Sequence, residues 1–334
     1  MTPAKTARHN PVGEAVRAVL PSSAKVHATK TDHADLIVNG VPVAIKWVGE
    51  GWLGDVQPLL ASRRNRPDIV VARRMSPGAR VALSEAGIGW VDQTGAAEIV
   101  LGPIVVSRTG QPVPPATRPP RWTPSVLAVA EALLCGTRAT VAAAGEATGL
   151  STGSCTSALR ILTDLGFLSA RAKRGRASAR RVSDEGRLLD AYAAAAASMT
   201  PKASLQIGVT WRDVIVGLAE TGKTWDRARV AWAVTGAAAS LMVAPYLASV
   251  SSAEVYVEAG SVVELQGVAT DAGLRPIEGG RLTLRPFPTV TTRRLATEID
   301  GLRVAPWPRI YADLRTTGVR GEESAEHLRV MHDR

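Results

Sequence analysis

The feature that most constrains the fold is a proline- and arginine-rich stretch in the first half of the chain. Residues 107–121 read SRTGQPVPPATRPPR, with five prolines and three arginines. Such a segment has few apolar side chains to bury, and proline offers no backbone donor to a sheet, so it predicts an interdomain linker. A weaker break follows at 197–204, ASMTPKAS. The two breaks predict three domains, at 1–106, 122–197 and 205–334, in a chain of 334 residues.

The charge balance favours a polyanionic partner. The formal net charge is +10, which indicates nucleic acid first and an anionic membrane second, although a genome that uses Arg and Ala freely would give the same excess. The two cysteines, Cys135 and Cys155, have no metal-site spacing, which is typical of the reducing cytoplasm. The N-terminus lacks an apolar signal core and the chain lacks an uncharged apolar stretch of about 18 residues, so we expect a cytoplasmic protein with no membrane contact.

The segment 122–197 has the pattern of a winged helix-turn-helix. TPSVLAVAEALL (123–134) has a Thr cap, Pro at the first helical position and apolar residues at helical spacing. A short second helix is predicted at 140–150, and a third begins after a tight turn at Ser151. A basic hairpin and another helix follow, at 168–186 and beyond. Three helices and a two-stranded wing form a DNA-binding motif.

Two sets of side chains would meet the DNA. The helix 151–165 would enter the major groove, because its N-terminal half carries only small side chains, and the wing 171–181, whose charged residues are all basic, would neutralise phosphates. The alternative is a solvated hairpin in a protein-interaction domain. The candidate contacts are Ser151, Thr152, Ser154, Thr156, Ser157 and Arg160 on the helix, and Arg171, Lys173, Arg174, Arg176, Arg180 and Arg181 on the wing.

The first domain alternates strand-like and helix-like patterns. The segments 13–20, 55–64 and 76–87 predict helices, 34–48 predicts a hairpin with Asn39-Gly40 between its apolar runs, and 68–72 and 88–102 predict strands. An acidic first helix, an Asp on a strand and a following strand that ends in AIK resemble the core of the PD-(D/E)XK nucleases. The resemblance implies that Glu14, Asp35 and Lys46 hold a divalent metal and activate water.

Position 44 departs from that nuclease pattern. It is Ala44, where the family has a carboxylate, and Mg²⁺ needs several hard oxygen ligands. Glu50 or Asp55 is the substitute that a shifted site would use. We therefore expect an inactive nuclease-like module with no metal and no cofactor. The alternatives are retained Mg²⁺-dependent cleavage, and a purely structural Asp35 and Lys46.

The third domain contains a literal match to the phosphate-binding loop motif. Residues 217–224 read GLAETGKT. A working loop follows a buried strand and opens a helix, whereas Trp211, Val214, Ile215 and Leu218 here fall on one helix face. We expect a helix capped by Thr210 that ends near Gly222, and no nucleotide at 217–224. The segment 226–247 predicts a further helix, broken at Gly236.

The remaining segments predict a strand at 253–260, a helix and a strand at 262–288, and a strand end with two helices at 303–331. AWAVTGAAASLMVAPYL, AEVYVEAG and APWPRIYADLRTTGVRGEESAEHLR resemble the C-terminal region of the AbiEi family, and ALSEAGIGWVDQTGAAEIV resembles segments found upstream in its large members. These are antitoxins of type IV toxin–antitoxin systems and related transcriptional regulators.

The AbiEi resemblance implies operator binding, transcription regulation and a toxin or other protein partner for the C-terminal domain. It also implies a nucleotidyltransferase-like shape for that domain. Catalysis in such a domain would need paired Asp residues to hold two metals, and no such pair accompanies Glu258. We interpret His327 as a C-capping or packing histidine and Asp313 as a surface carboxylate. The expected fold class is α+β with three domains: a nuclease-like mixed sheet, a winged helix and an α/β C-terminal domain.

Overall fold

The computed structural model describes residues 11–31, 34–62, 66–102, 104–110, 122–170, 180–199, 203–246 and 249–332. The chain divides into two compact units, Met1–Thr117 and Arg118–Arg334, so the division falls inside the expected linker. Both units are mixed α/β structures.

The first unit begins with a helix and four strands, which a helix, a strand, a helix and three further strands follow. Its elements within the described residues are α1 Pro11–Val19, β1 Val26–Thr31, β2 Ala34–Val38, β3 Val41–Val43, β4 Ile45–Trp47, α2 Leu53–Ala61, β5 Ile69–Ala72, α3 Pro77–Glu85, β6 Gly89–Asp92, β7 Ala97–Leu101 and β8 Ile104–Arg108.

These strands form two sheets. β1, β2 and β3 form an antiparallel sheet, and the β2–β3 turn has the left-handed backbone at Asn39 and Gly40 that the sequence predicted. The second sheet has the order β4-β5-β6-β7-β8, parallel from β4 to β6 and antiparallel beyond. The expected linker starts too early at residue 107, because Ser107 and Arg108 belong to strand β8 and pair with β7.

The central strands β5 and β6 of the five-stranded sheet are buried on both faces. Along β5, Ile69 and Val71 pack into a core with α1, whereas Val70 and Ala72 pack into a second core with α2 and α3. This alternation explains why β5 is a continuous apolar run, as central parallel strands usually are. Ser76 caps α3 by accepting from the Ala79 amide, with Pro77 at the first helical position.

The second unit joins a helical part to a larger sheet. Its elements within the described residues are α4 Pro124–Leu134, α5 Val141–Thr148, α6 Thr152–Asp164, β9 Leu168–Ala170, β10 Arg180–Val182, α7 Glu185–Ser198, β11 Leu205–Gly208, α8 Val214–Arg227, β12 Trp232–Thr235, α9 Gly236–Val243, β13 Ala253–Val257, α10 Val262–Asp271, β14 Arg275–Pro276, β15 Leu282–Pro286, α11 Val290–Arg294, β16 Thr297–Ile299, β17 Leu302–Val304, α12 Trp307–Leu314 and α13 Val319–His332.

The larger sheet is mixed and has seven strands in the order β14-β11-β15-β13-β12-β17-β16. Its buried side chains belong to the same core as those of α4, α6 and α7. The expected cut at 197–204 therefore does not separate two cores. The packing of α12 against α7 joins the two parts.

One helix prediction in this unit is wrong. The segment expected to be helical over 226–247 contains strand β12, which pairs with β13 and β17, and only then helix α9. All four residues of β12 are buried. A short apolar run of this kind fits a buried helix and a buried strand equally well, so its periodicity could not identify it.

Candidate nucleic-acid interface

The turn between helices α5 and α6 is built by local caps. Helix α5 ends at Gly149, whose left-handed backbone (φ 72°) turns the chain, and the Gly149 amide donates to Gly145 O at 2.8 Å. Ser151 then caps α6 by accepting from the Ser154 amide at 3.2 Å. Only Leu150 lies between the two caps, which gives the tight turn that the sequence predicted.

Helix α6 has one buried face and one exposed face. Cys155, Ala158, Leu159 and Leu162 are buried in the core. Opposite them, Thr152, Thr156 and Arg160 are exposed at four-residue spacing and so form one stripe along the helix. Ser151 is exposed as well, and Ser154 and Ser157 are half-buried beside the stripe.

The polar groups of the stripe differ in how far they are already engaged. The Thr156 hydroxyl donates to Thr152 O at 2.8 Å, and the Ser151 hydroxyl donates to Ser154 Oγ at 3.0 Å. Each oxygen keeps acceptor capacity. Arg160 is exposed, and within the described part of the chain no hydrogen bond or ion pair holds its guanidinium. It is the side chain of α6 best placed to contact a separate molecule.

Strand β9, which directly precedes the predicted wing residues, contacts helix α6. β9 and β10 pair antiparallel, with Arg181 opposite Ser169. Arg180 is half-buried and donates from Nε to Thr163 Oγ1 at 3.1 Å, so it ties the wing to α6, whereas Arg181 is exposed. The other predicted wing contacts, Arg171, Lys173, Arg174 and Arg176, lie outside the described residues.

Helices α11 and α12, which accompany the larger sheet, form hydrogen bonds with α5 and α4. Arg294 of α11 donates to Glu146 O of α5 at 3.0 Å, and the Trp307 indole donates to Leu134 O at the end of α4 at 3.3 Å. Helix α4 is buried over Val126–Leu134, consistent with its nearly all-apolar sequence.

A buried carboxylate, which the sequence analysis did not single out, lies at the centre of this support. Glu131 of α4 is fully buried and accepts hydrogen bonds at Oε2 from Tyr192 OH (3.0 Å) and Thr292 Oγ1 (2.9 Å), while its Oε1 has no hydrogen-bond partner among the described residues. Burial raises the pKa of Glu131 from its ordinary 4.5 to about 7, although Arg309 and the two hydrogen bonds lower it. The signal that could have identified Glu131 from the sequence is its position as the one charged residue in the otherwise apolar pattern of α4.

The interpretation of Asp313 as a surface carboxylate is wrong. It is buried rather than a surface carboxylate, and it accepts hydrogen bonds from Thr235 Oγ1 (2.5 Å), Tyr256 OH (2.7 Å) and the Arg309 guanidinium. Burial raises the pKa of Tyr256 well above its ordinary value, so the phenol stays a donor. The network joins α12 to the centre of the sheet. His327 packs its ring on Tyr246, with centroids 5.3 Å apart.

In the first unit, the candidate nuclease residues lie on the expected elements. Asp35 of β2 accepts from the Ile45 amide at 2.8 Å, which brings it next to the strand of Lys46, and Asp68 accepts from the Ala44 amide at 2.7 Å. Lys46 is exposed on β4 and Glu14 is exposed on α1. The described residues contain no group of three or more His, Cys, Asp or Glu that could hold a metal ion.

The two substitute acids have other partners. Asp55 caps α2, because its Oδ2 accepts from the Gly51 and Trp52 amides, each at 2.9 Å. Glu50 forms a salt bridge with Arg73 at 3.1 Å.

The GLAETGKT segment lies inside helix α8, which differs from the prediction at both ends. Asp213, not Thr210, caps the helix, and α8 continues past Gly222 to Arg227. The glycines allow close packing: a Cβ at Gly217 would lie 2.2 Å from the Trp211 ring, and one at Gly222 would lie 2.3 Å from the Trp232 ring. Packing against tryptophan explains these glycines without a phosphate.

Comparisons of this chain with protein families, with curated proteins and with solved structures find no match. In the described residues, none of the helices has the length and apolar character needed to cross a membrane.

Proposed function

We propose that this protein binds duplex DNA, with α6 in the major groove and the wing over the adjacent phosphates. The observation that carries the proposal is the exposed stripe of α6, in which Thr152, Thr156 and Arg160 follow one another along one face. The N-terminal half of that face carries only small side chains, so the helix backbone can approach the base edges closely. Arg160 is long enough to form a bidentate contact with guanine.

The charge of the chain supports the same proposal. Arg160 and Arg181 are exposed on α6 and on the wing, and four more basic residues lie in the sequence between the two wing strands. Cations over phosphates release counterions, which gives affinity that falls as salt rises. The hydrogen bonds from Arg294 to α5 and from Trp307 to α4 would keep these helices, and the exposed face of helix α6, which packs on both of them, in one geometry when DNA binds.

Fluorescence anisotropy of a labelled duplex tests the proposal. For the full chain, the logarithm of the binding constant should fall linearly with the logarithm of the salt concentration between about 50 and 200 mM. The slope should be about −0.9 for each phosphate that the protein contacts. Replacing Arg174 and Arg176 with Ala should weaken binding to every duplex and make the slope shallower by about 2. Arg320→Ala, an exposed arginine on α13, is the matched control and should leave the slope unchanged. Absence of binding at low salt, or an unaltered slope in the double variant, would contradict the proposal.

We further propose that the DNA is an operator, so that the protein acts as a transcriptional regulator of the antitoxin type, with a toxin or another protein as partner of the 205–334 segment. The support is the sequence resemblance of that segment. Selection of bound duplexes from a random library should recover one sequence that also occurs upstream of the protein's own gene. Recovery of unrelated sequences would leave DNA binding intact and remove the operator role.

The second candidate function is a metal-dependent DNA nuclease. The observation in its favour is the hydrogen bond that brings Asp35 beside the strand of Lys46, within a unit whose order of elements begins helix, four strands, helix, strand. Against it, Ala44 provides no ligand. Incubation with supercoiled plasmid and Mg²⁺ or Mn²⁺ separates the candidates: cleavage that Asp35→Ala and Lys46→Ala abolish would favour the nuclease, and an intact plasmid would favour binding alone.

A further inference from the structure

A cleft of about 610 Å³ opens in the second unit between the helix-turn-helix and the large sheet. One wall is the first turn of α4, with Ser125, and Leu150 from the turn before α6. The opposite wall is formed by the segments that follow β13 and β15, with Glu258 and Phe287. Clefts of this volume hold small organic molecules in other proteins.

The chemistry of the lining favours a cation with an apolar body. Leu150, Phe287 and Val290 supply apolar surface, and Phe287 adds an aromatic ring of the kind that attracts cations. The ionisable groups are two carboxylates, Glu258 and Glu264, and one guanidinium, Arg293, so the cleft has a net negative charge in a strongly basic protein.

The single cationic group of the cleft already has a partner. Arg293 forms an ion pair with Glu258. Glu264 accepts from the Gly260 amide at 2.7 Å and from the Ser261 hydroxyl at 3.2 Å, but within the described residues no cationic side chain pairs with it. An entering cation would therefore meet the Glu264 carboxylate, which the first turn of α10 and two hydrogen bonds hold but no cationic side chain of the described residues neutralises, and the Glu258 carboxylate, which it would share with Arg293.

We propose that this cleft binds a small organic cation with an apolar body. The position of the cleft gives such a ligand a path to the proposed DNA-binding surface. Leu150, which lines the cleft, is the residue between the caps of α5 and α6. Thr289 also lines the cleft, and its hydroxyl lies 3.5 Å from Oε2 of the buried Glu131 in α4. An effect of the ligand on DNA affinity rests on the proposed function, whereas the binding site itself does not.

Isothermal titration calorimetry with two ions of nearly the same shape tests the site. The full chain should bind tetraphenylphosphonium saturably at one site and bind tetraphenylborate more weakly, although the chain as a whole is basic. Glu258→Gln should weaken tetraphenylphosphonium binding by about fivefold and Arg293→Gln should strengthen it by a similar factor, because they change the charge of the cleft in opposite directions.

Glu298→Gln, an exposed carboxylate on β16 outside the cleft, is the control and should change neither affinity. Equal affinity for the two ions, no binding of the cation, or the same direction of change in Glu258→Gln and Arg293→Gln would each overturn the proposal. Because these titrations contain no DNA, their failure is distinguishable from failure of the proposed DNA binding.

Discussion

At the scale of single residues, Glu131 is the most consequential side chain that the sequence analysis passed over. It lies fully buried in α4, and no described residue donates a hydrogen bond to its Oε1. An ionised carboxylate in such a place is costly, and its three hydroxyl neighbours, Tyr192, Thr292 and Thr289, offset only part of that cost. Its protonation state therefore affects stability.

We expect stability to fall between pH 4.5 and about pH 7. Because the pKa of Glu131 is raised in the folded state, the folded chain keeps a proton that the unfolded chain loses, and the resulting stabilisation disappears as pH passes the folded value of about 7. The shift corresponds to roughly 3 kcal/mol. Urea unfolding at pH 5 and pH 8 should show this loss in the parent chain and a much smaller one in Glu131→Gln. Glu298→Gln should behave like the parent, and an unchanged pH dependence in Glu131→Gln would argue against a buried, proton-binding carboxyl.

Arg160 provides the residue-scale prediction for recognition. Arg160→Ala should reduce discrimination between the selected duplex and a scrambled one by about 1–3 kcal/mol, because a guanine contact is lost while phosphate contacts remain. Competition anisotropy measures the ratio of the two affinities. Arg320→Ala serves again as the control. If Arg160→Ala weakens both duplexes equally, Arg160 contacts backbone and not a base.

At the scale of elements, the sequence predicted well where local signals decide. The structure places α4, α5 and α6 within two residues of the expected starts, because Thr123, Thr140 and Ser151 are capping residues whose side chains accept from the first turn. The Gly149 turn is local in the same sense. Strand β12 was missed because its four buried residues are strand only through pairing with β13 and β17, which are distant in sequence.

Helix α8 allows a test of whether the glycines of the GLAETGKT segment are needed for close packing against tryptophan. Gly222→Ala should destabilise the second unit by about 1–3 kcal/mol, since the new methyl group would overlap the Trp232 ring. Gly267→Ala, in α10 with open space around its Cβ position, should instead stabilise by up to about 1 kcal/mol. Thermal unfolding compares the two. Equal and small effects would mean that the close packing of α8 on β12 is not what requires glycine.

At the scale of the whole molecule, the sequence correctly indicated mixed α/β structure. It did not indicate that the segments 122–197 and 205–334 share one core. The reason is that the joining contacts are long-range pairs: Glu131 with Thr292, Leu134 with Trp307, and Asp190 with Arg315, whose atoms lie 2.5 Å apart. The candidate contact residues of α6 remain a prediction from the sequence, whereas the long-range network that supports this helix could not be predicted from it.

This union predicts how fragments behave. A fragment of residues 118–334 should unfold cooperatively, whereas one of residues 118–200 should not, because it would expose the apolar sides of α4 and α7 that α11 and α12 cover. Circular dichroism during thermal unfolding distinguishes the two. A cooperative transition in the shorter fragment would show that the winged-helix segment is an independent domain after all.

The most direct test of the central claim is photocrosslinking from one exposed position on α6. Thr156→Cys would be labelled with a photoreactive group and irradiated with duplex DNA, beside Val330→Cys on α13 as a matched exposed control. The parent chain, with Cys155 buried and Cys135 half-buried, gives the background. The account predicts crosslinks to DNA bases from position 156 and none above background from position 330. Crosslinks from position 330 alone, with none from position 156, would contradict it.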